Sequence, residues 1–180
     1  MTASLAAIAV LASRGLITVV FGVAAAHKVR SVGRFVAVLG AYRILPAFLL
    51  RPVSLLLIAA EGFVALGVWF DGSRTVAVAL ALALLTSYAG AIGLNLKRGR
   101  RDIDCGCSFG GAGERLSPLL LVRNAALVLL AIPAVFPTRS PLEPATLASA
   151  FLVTLCLLFC YQLLSALRAN QSAIASLEKS

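Results

Sequence analysis

The sequence predicts an all-α fold, a polytopic transmembrane helical bundle. Three observations carry that reading. Hydrophobic residues make up 61% of the 180, mean hydropathy is +0.99 and only 13% of residues are charged. A soluble domain of this length has too much surface to hide so large an apolar fraction, and lipid removes that difficulty. The apolar residues also gather into runs long enough to cross a hydrocarbon core, with basic residues clustered beside them. No basic stripe runs along a soluble face, so the +9 net charge excludes nucleic acid and points to anionic headgroups of the lipid bilayer. No linker, low-complexity tail or repeat interrupts the chain, and residues 1–180 read as a single integral membrane domain.

A crossing helix needs about 20 apolar residues at a rise of about 1.5 Å each. Five segments qualify: Leu5–Ala26, Pro52–Phe70, Thr75–Leu96, Pro118–Phe136 and Leu147–Leu167. The first has no Lys or Arg before Arg14 and is too long for a cleaved signal, so it reads as a retained helix. Asp71-Gly72-Ser73 turns the chain between the second and third. Ser117 caps the fourth with Pro118 at its first position, where a missing N–H costs nothing. Prolines between Pro137 and Pro144 end it. Residues 31–45 are too short to span. Val32, Phe35, Val36, Leu39 and Tyr42 recur at helical spacing, with Arg34 and Arg43 off that face, which predicts an interfacial helix ending at Leu45-Pro46. Gly15, Gly22, Gly62, Gly90 and Gly93 are the small residues expected to let helices approach closely.

Charge sets an expected orientation. Lys28, Arg30, Arg34, Arg43 and Arg51 follow the first span. Lys97, Arg98, Arg100, Arg101 and Arg115 follow the third, and Arg168 and Lys179 follow the fifth. Only Arg74 and Arg139 fall on the opposite side. The positive-inside rule places the N-terminus outside and the C-terminus in the cytoplasm, with the loop after the third span also cytoplasmic.

That loop holds the chain's clearest reactive chemistry, Asp104-Cys105-Gly106-Cys107. Thiols one residue apart reach the roughly 4.4–6.8 Å Cα window of a disulfide in a small, readily reduced ring. Arg98, Arg100 and Arg101 favour thiolate, whereas Asp102 and Asp104 oppose it. The residues leave three outcomes open: a redox pair, a soft-metal site with His27 as a third ligand, or idle thiols. Asn95 before the loop and Arg123 and Asn124 after it are expected to converge beneath it. There they would orient the loop, bind a quinone carbonyl or lipid phosphate, or simply bridge helices.

Arg14 and Glu61 fall near the middles of their apolar segments, where an unpaired charge costs at least about 2.5–3.5 kcal/mol. Pairing with each other is the expected solution, in a helix-docking or proton-coupled role. Cys156 and Cys160, at i and i+4, are too far apart for an unstrained bridge and are expected to pack as small hydrophobes. Two embedded charges and no inverted repeat argue against a channel or transporter.

The chain resembles the methylamine-utilisation MauE family, within the wider DoxX-like group of small membrane proteins. The residues that carry the resemblance are Arg14 and Lys28, Tyr42-Arg43-Ile44-Leu45-Pro46, Glu61, Asn95-Leu96-Lys97-Arg98-Gly99, Asp104-Cys105-Gly106-Cys107 with Phe109-Gly110, and Arg123-Asn124. They cover about residues 10–135, leaving the fifth span outside. The family pattern runs CGCFG; here Ser108 is inserted before Phe109. The resemblance implies a four-helix core, with the C-terminal helix and the interfacial helix added to it, in the cell membrane of a bacterium. It implies that Cys105 and Cys107 are a redox pair exchanging disulfides with a thioredoxin-like protein to mature an exported partner. Exported disulfides and a cytoplasmic loop pull in opposite directions. Electrons from a cytosolic donor passed across the bilayer, or a loop that approaches Cys156 or Cys160, would reconcile them. A non-catalytic scaffold subunit is the competing class of function.

Overall fold

The computed structural model describes residues 2–100, 116–138 and 143–177. Its elements are α1 (Thr2–Arg30), α2 (Val32–Ala41), α3 (Ala47–Gly67), α4 (Arg74–Lys97), α5 (Pro118–Ala131), a 3₁₀ turn (Ile132–Val135) and α6 (Pro144–Leu177). Among the described residues there is no strand, and five helices are long and apolar enough to cross a membrane. The short α2 falls where a non-spanning helix is expected but stops at Ala41, before the expected end at Leu45; Phe35 and Tyr42 are buried while Arg34 and Arg43 face out.

Boundaries differ where a cap outranks hydropathy. Helix α3 begins at Ala47 because Pro46, in an extended conformation, serves as its N-cap; Pro52 therefore lies inside the helix. Ser117 and Pro118 open α5 as expected, but the regular helix stops at Ala131 and tightens into the 3₁₀ turn around Pro133. Helix α6 runs on to Leu177.

Helix α1 is the hub. It packs on α3, α6, the 3₁₀ turn and α5, while α4 closes the other side against α3 and α5. More than half of its most apolar stretch is buried, against a third or less in every other span. The main core joins Leu16, Ile17, Val20 and Phe21 of α1 to Val64 of α3 and Val68 at its C-cap, Ala77, Ala81 and Leu85 of α4, and Leu127 and Ala131 of α5. Large apolar side chains such as Leu56, Leu66, Leu129 and Phe151 stay exposed on the outside, as a lipid solvent requires.

Close approach uses only some of the expected glycines. A Cβ on Gly15 would stand 2.9 Å from Thr154 Oγ1, and one on Gly22 would stand 3.7 Å from the Cβ of Ala65. Gly93 meets Leu121 at ordinary contact distance, whereas Gly62 and Gly90 face open space. Lipid-facing glycine carries no packing role there.

Candidate functional site

The two ends of the cysteine loop are fastened to the bundle. Helix α4 ends in a Schellman motif: Gly99, at φ +72°, donates its N–H to Leu96 O at 3.0 Å, and Arg100 N–H donates to Asn95 O at 3.0 Å. Only glycine takes that left-handed conformation without cost. Asn95 is fully buried; its Nδ2 donates to Ala91 O at 3.1 Å and its Oδ1 accepts from Arg100 Nη1 at 3.4 Å. At the other end Leu116 is buried in a cluster with Leu120, Ile92 and Tyr42. Arg98 Nη1 reaches Arg43 O at 3.5 Å, and Arg43 holds a left-handed φ of +50°, uncommon for a residue with a side chain. The Tyr42-Arg43 corner and the Asn95–Gly99 stretch are thus one structural unit. The chain leaves it at Arg100 and returns at Leu116. Asp104, Cys105 and Cys107 lie outside the described residues.

Beneath this base sits a buried polar cluster. Lys28, in the last turn of α1, is ion-paired with Oε1 of Glu61 on α3, and both are almost fully enclosed. Tyr88 of α4 donates its hydroxyl to the same oxygen at 2.6 Å. The Lys28 ammonium also lies 4.9 Å from the Phe35 ring centroid and 5.2 Å from that of Tyr88. Glu61 Oε2 is buried without a hydrogen-bond partner among the described residues.

This overturns the expected Arg14–Glu61 pair. Helices α1 and α3 run antiparallel, with Thr18 Oγ1 donating to Ala65 O at 3.0 Å, so Glu61 is level with the far end of α1. Arg14 belongs to the opposite end of the bundle. Its Nε and Nη2 donate to Ala134 O and Phe136 O at 3.3 and 2.6 Å, carbonyls left open where α5 gives way to the 3₁₀ turn. A central place in each segment did not make the two neighbours: α3 is offset along α1, so Glu61 meets Lys28 while Arg14 meets the 3₁₀ turn after α5. Sequence reasoning missed Lys28 and Tyr88 as the partners. A signal existed: Phe21, Ala25 and Lys28 continue one buried stripe at i, i+4 and i+7.

The other candidate residues separate. Asn124 is buried with its Nδ2 unpartnered among the described residues. The Arg123 guanidinium lies 5.6 Å from the Tyr161 ring centroid on α6. His27 is exposed on α1's last turn. Cys156 and Cys160 are free and exposed on the outer face of α6, contrary to the expected burial. The reason is that Ala150, Thr154, Leu157 and Tyr161 supply that helix's inward face.

A bundle of apolar spans around a buried lysine–glutamate pair, with a capped loop at one end, defines a multi-pass helical membrane protein. A family model described as "Methylamine utilisation protein MauE" matches residues 6–137. The Methylamine utilization protein MauE of Paracoccus denitrificans is 36% identical over 168 residues, covering 90% of both chains. That of Paracoccus versutus is 34% identical over 172 residues, covering 93% of this chain and 92% of its own. The chain belongs to the MauE family. The relatives' alignments run past residue 137, so the likeness extends into α6, beyond the stretch the sequence motifs covered. No solved structure matches the chain.

Proposed function

We propose that the protein is a membrane thiol–disulfide component in methylamine utilisation, the process named for its relatives. What supports the reading is the Asp104-Cys105-Gly106-Cys107 run, carried by a loop whose exits are capped at Gly99 and packed at Leu116. Close to the thiols in sequence, Arg98, Arg100 and Arg101 favour thiolate, while Asp102 and Asp104 oppose it.

In the oxidising direction, a thiolate of a thioredoxin-like partner attacks the Cys105–Cys107 disulfide and forms a mixed disulfide. One loop sulfur leaves as thiolate and takes a proton. The partner's second thiol, losing its proton, then displaces the other loop sulfur. The partner departs oxidised, and the loop dithiol holds the two electrons. A membrane quinone is the acceptor we assign for re-oxidation, becoming a quinol with those electrons and two protons. By charge bias the loop faces the cytoplasm of a bacterial cell membrane.

The test uses Cys105→Ser and Cys107→Ser proteins in native membranes, with alkylation and non-reducing electrophoresis. One of them should accumulate a mixed-disulfide adduct, and neither should restore growth on methylamine in a strain lacking the gene. Two adduct-free variants, or full growth without both thiols, would leave a scaffold role instead. Labelling by a membrane-impermeant maleimide fixes the side on which the loop lies.

A further inference from the structure

Among the described residues Glu61 is the one carboxylate enclosed within the bundle; Asp71 and Glu143 are exposed. The thiol chemistry does not use it. Its two donors crowd a single oxygen: the Lys28 ammonium bonds to Oε1, and the Tyr88 hydroxyl donates to the same atom at 2.6 Å. Oε2 has no partner among the described residues. A buried carboxylate that stays ionised needs its remaining lone pairs satisfied, and here one whole oxygen is left over.

The helices packed on α3 bring little else to this carboxylate. Helix α1 contributes Lys28, α4 contributes Tyr88, and α2 contributes the Phe35 ring while its Arg34 is exposed. Lys28 does not depend on Glu61 alone. Its ammonium lies 4.9 Å from the Phe35 ring centroid and 5.2 Å from that of Tyr88, contacts that hold a cation with or without a carboxylate. His27, Val29 and Arg30 beside it in the last turn of α1 are exposed, so the surface is within reach of its four-carbon stem. The cluster therefore suits two charge states, an ion pair and a cation beside a neutral acid.

We propose that Glu61 is a reversible proton-binding site within the membrane, loaded by Lys28 from the surface at which the cysteine loop leaves the bundle. Lys28 gives one ammonium proton to Oε1 and becomes a neutral amine, while Glu61 becomes the neutral acid. The amine swings to the surface and takes a proton from hydronium, leaving water. Rotation of the carboxyl group turns the protonated oxygen away and presents the unused Oε2 to the returning ammonium and to Tyr88. The net change is one proton carried from water to Glu61, and release runs the same steps backwards. No electron moves and neither loop cysteine takes part, so the site stands apart from the thiol reading.

The full chain in lipid nanodiscs is followed by infrared difference spectroscopy as the pH is lowered, with circular dichroism marking the range in which the bundle stays folded. Wild type should show the carbonyl stretch of a neutral carboxylic acid within that range. Glu61→Gln should lack it, and the Cys105→Ser, Cys107→Ser double variant should keep it. Tyr88→Phe should move the band to higher frequency, because the carbonyl oxygen loses its hydroxyl donor. Lys28→Arg keeps the charge, but guanidinium does not give up a proton; after a rapid drop in pH its band should rise about tenfold or more slowly than that of wild type. Loading of Lys28→Arg at the wild-type rate would overturn Lys28 as the carrier. A folded wild-type bundle with no band that Glu61→Gln removes would overturn the site itself, and that comparison decides the matter even if Lys28→Arg does not fold.

Discussion

Replacing Lys28 by methionine should be among the most damaging single changes in this chain, and pairing it with Glu61→Gln should undo much of the damage. Both side chains are buried, at 3% and 1% exposure, so solvent does not screen the pair. Removing the lysine leaves a carboxylate in an apolar interior with, among the described residues, the Tyr88 hydroxyl alone on it. Breaking a buried pair this way costs about 3–5 kcal/mol, whereas replacing both partners is close to neutral. The two single changes should also differ. In Glu61→Gln the lysine keeps the Phe35 and Tyr88 rings and, from the last turn of α1, has a stem long enough to swing its charge outward. Glu61, mid-helix on a short stem, has no such escape, so Lys28→Met should be the worse variant. Unfolding free energies of wild type, both singles and the double in one detergent complete the cycle, with an expected coupling of about 2–3 kcal/mol. A double variant whose loss equals the sum of the singles within about 0.5 kcal/mol would refute the pairing. An Arg14/Glu61 charge exchange should restore nothing.

Gly15→Ala forces a methyl against Thr154 and should cost about 1–3 kcal/mol in thermal or denaturant unfolding, partly recovered by Thr154→Ala in the same chain. Gly99→Ala places a Cβ at a positive φ and should cost about 1–2 kcal/mol while lowering the rate of any thiol exchange measured at the loop. Cys156→Ala with Cys160→Ala should change stability by no more than about 0.5 kcal/mol in thermal unfolding, and a larger loss would place α6 in an interface.

The spans were legible because hydropathy over twenty residues dominates every other local signal; the Asp71-Gly72-Ser73 turn and the start of α5 at Ser117-Pro118 fall where expected, although Ser117 makes no side-chain cap bond. What failed was depth and facing. Arg14 and Glu61 looked like neighbours because each is central in its own segment, yet a linear sequence carries no information on helix offset. Cys156 and Cys160 were assigned inward because free cysteine is usually buried in water-soluble proteins; in lipid the outer face is equally apolar. Tyr88 and Lys28 went unread as partners because a single tyrosine in an apolar run and a lysine at a helix end each have an ordinary interfacial explanation. The base of the loop was half legible: Asn95 and Gly99 were noted as a motif, and the structure supplies its mechanical meaning.

The placement of α1 has a consequence for how the molecule is assembled. Its Ala12–Gly15 strip is covered by Thr154, 142 residues later in the chain, whose hydroxyl reaches Ala12 O at 3.4 Å. During synthesis that strip must wait in lipid, or against a borrowed neighbour, until the sixth helix has threaded in. Chains halted before then would carry an open seam of small residues.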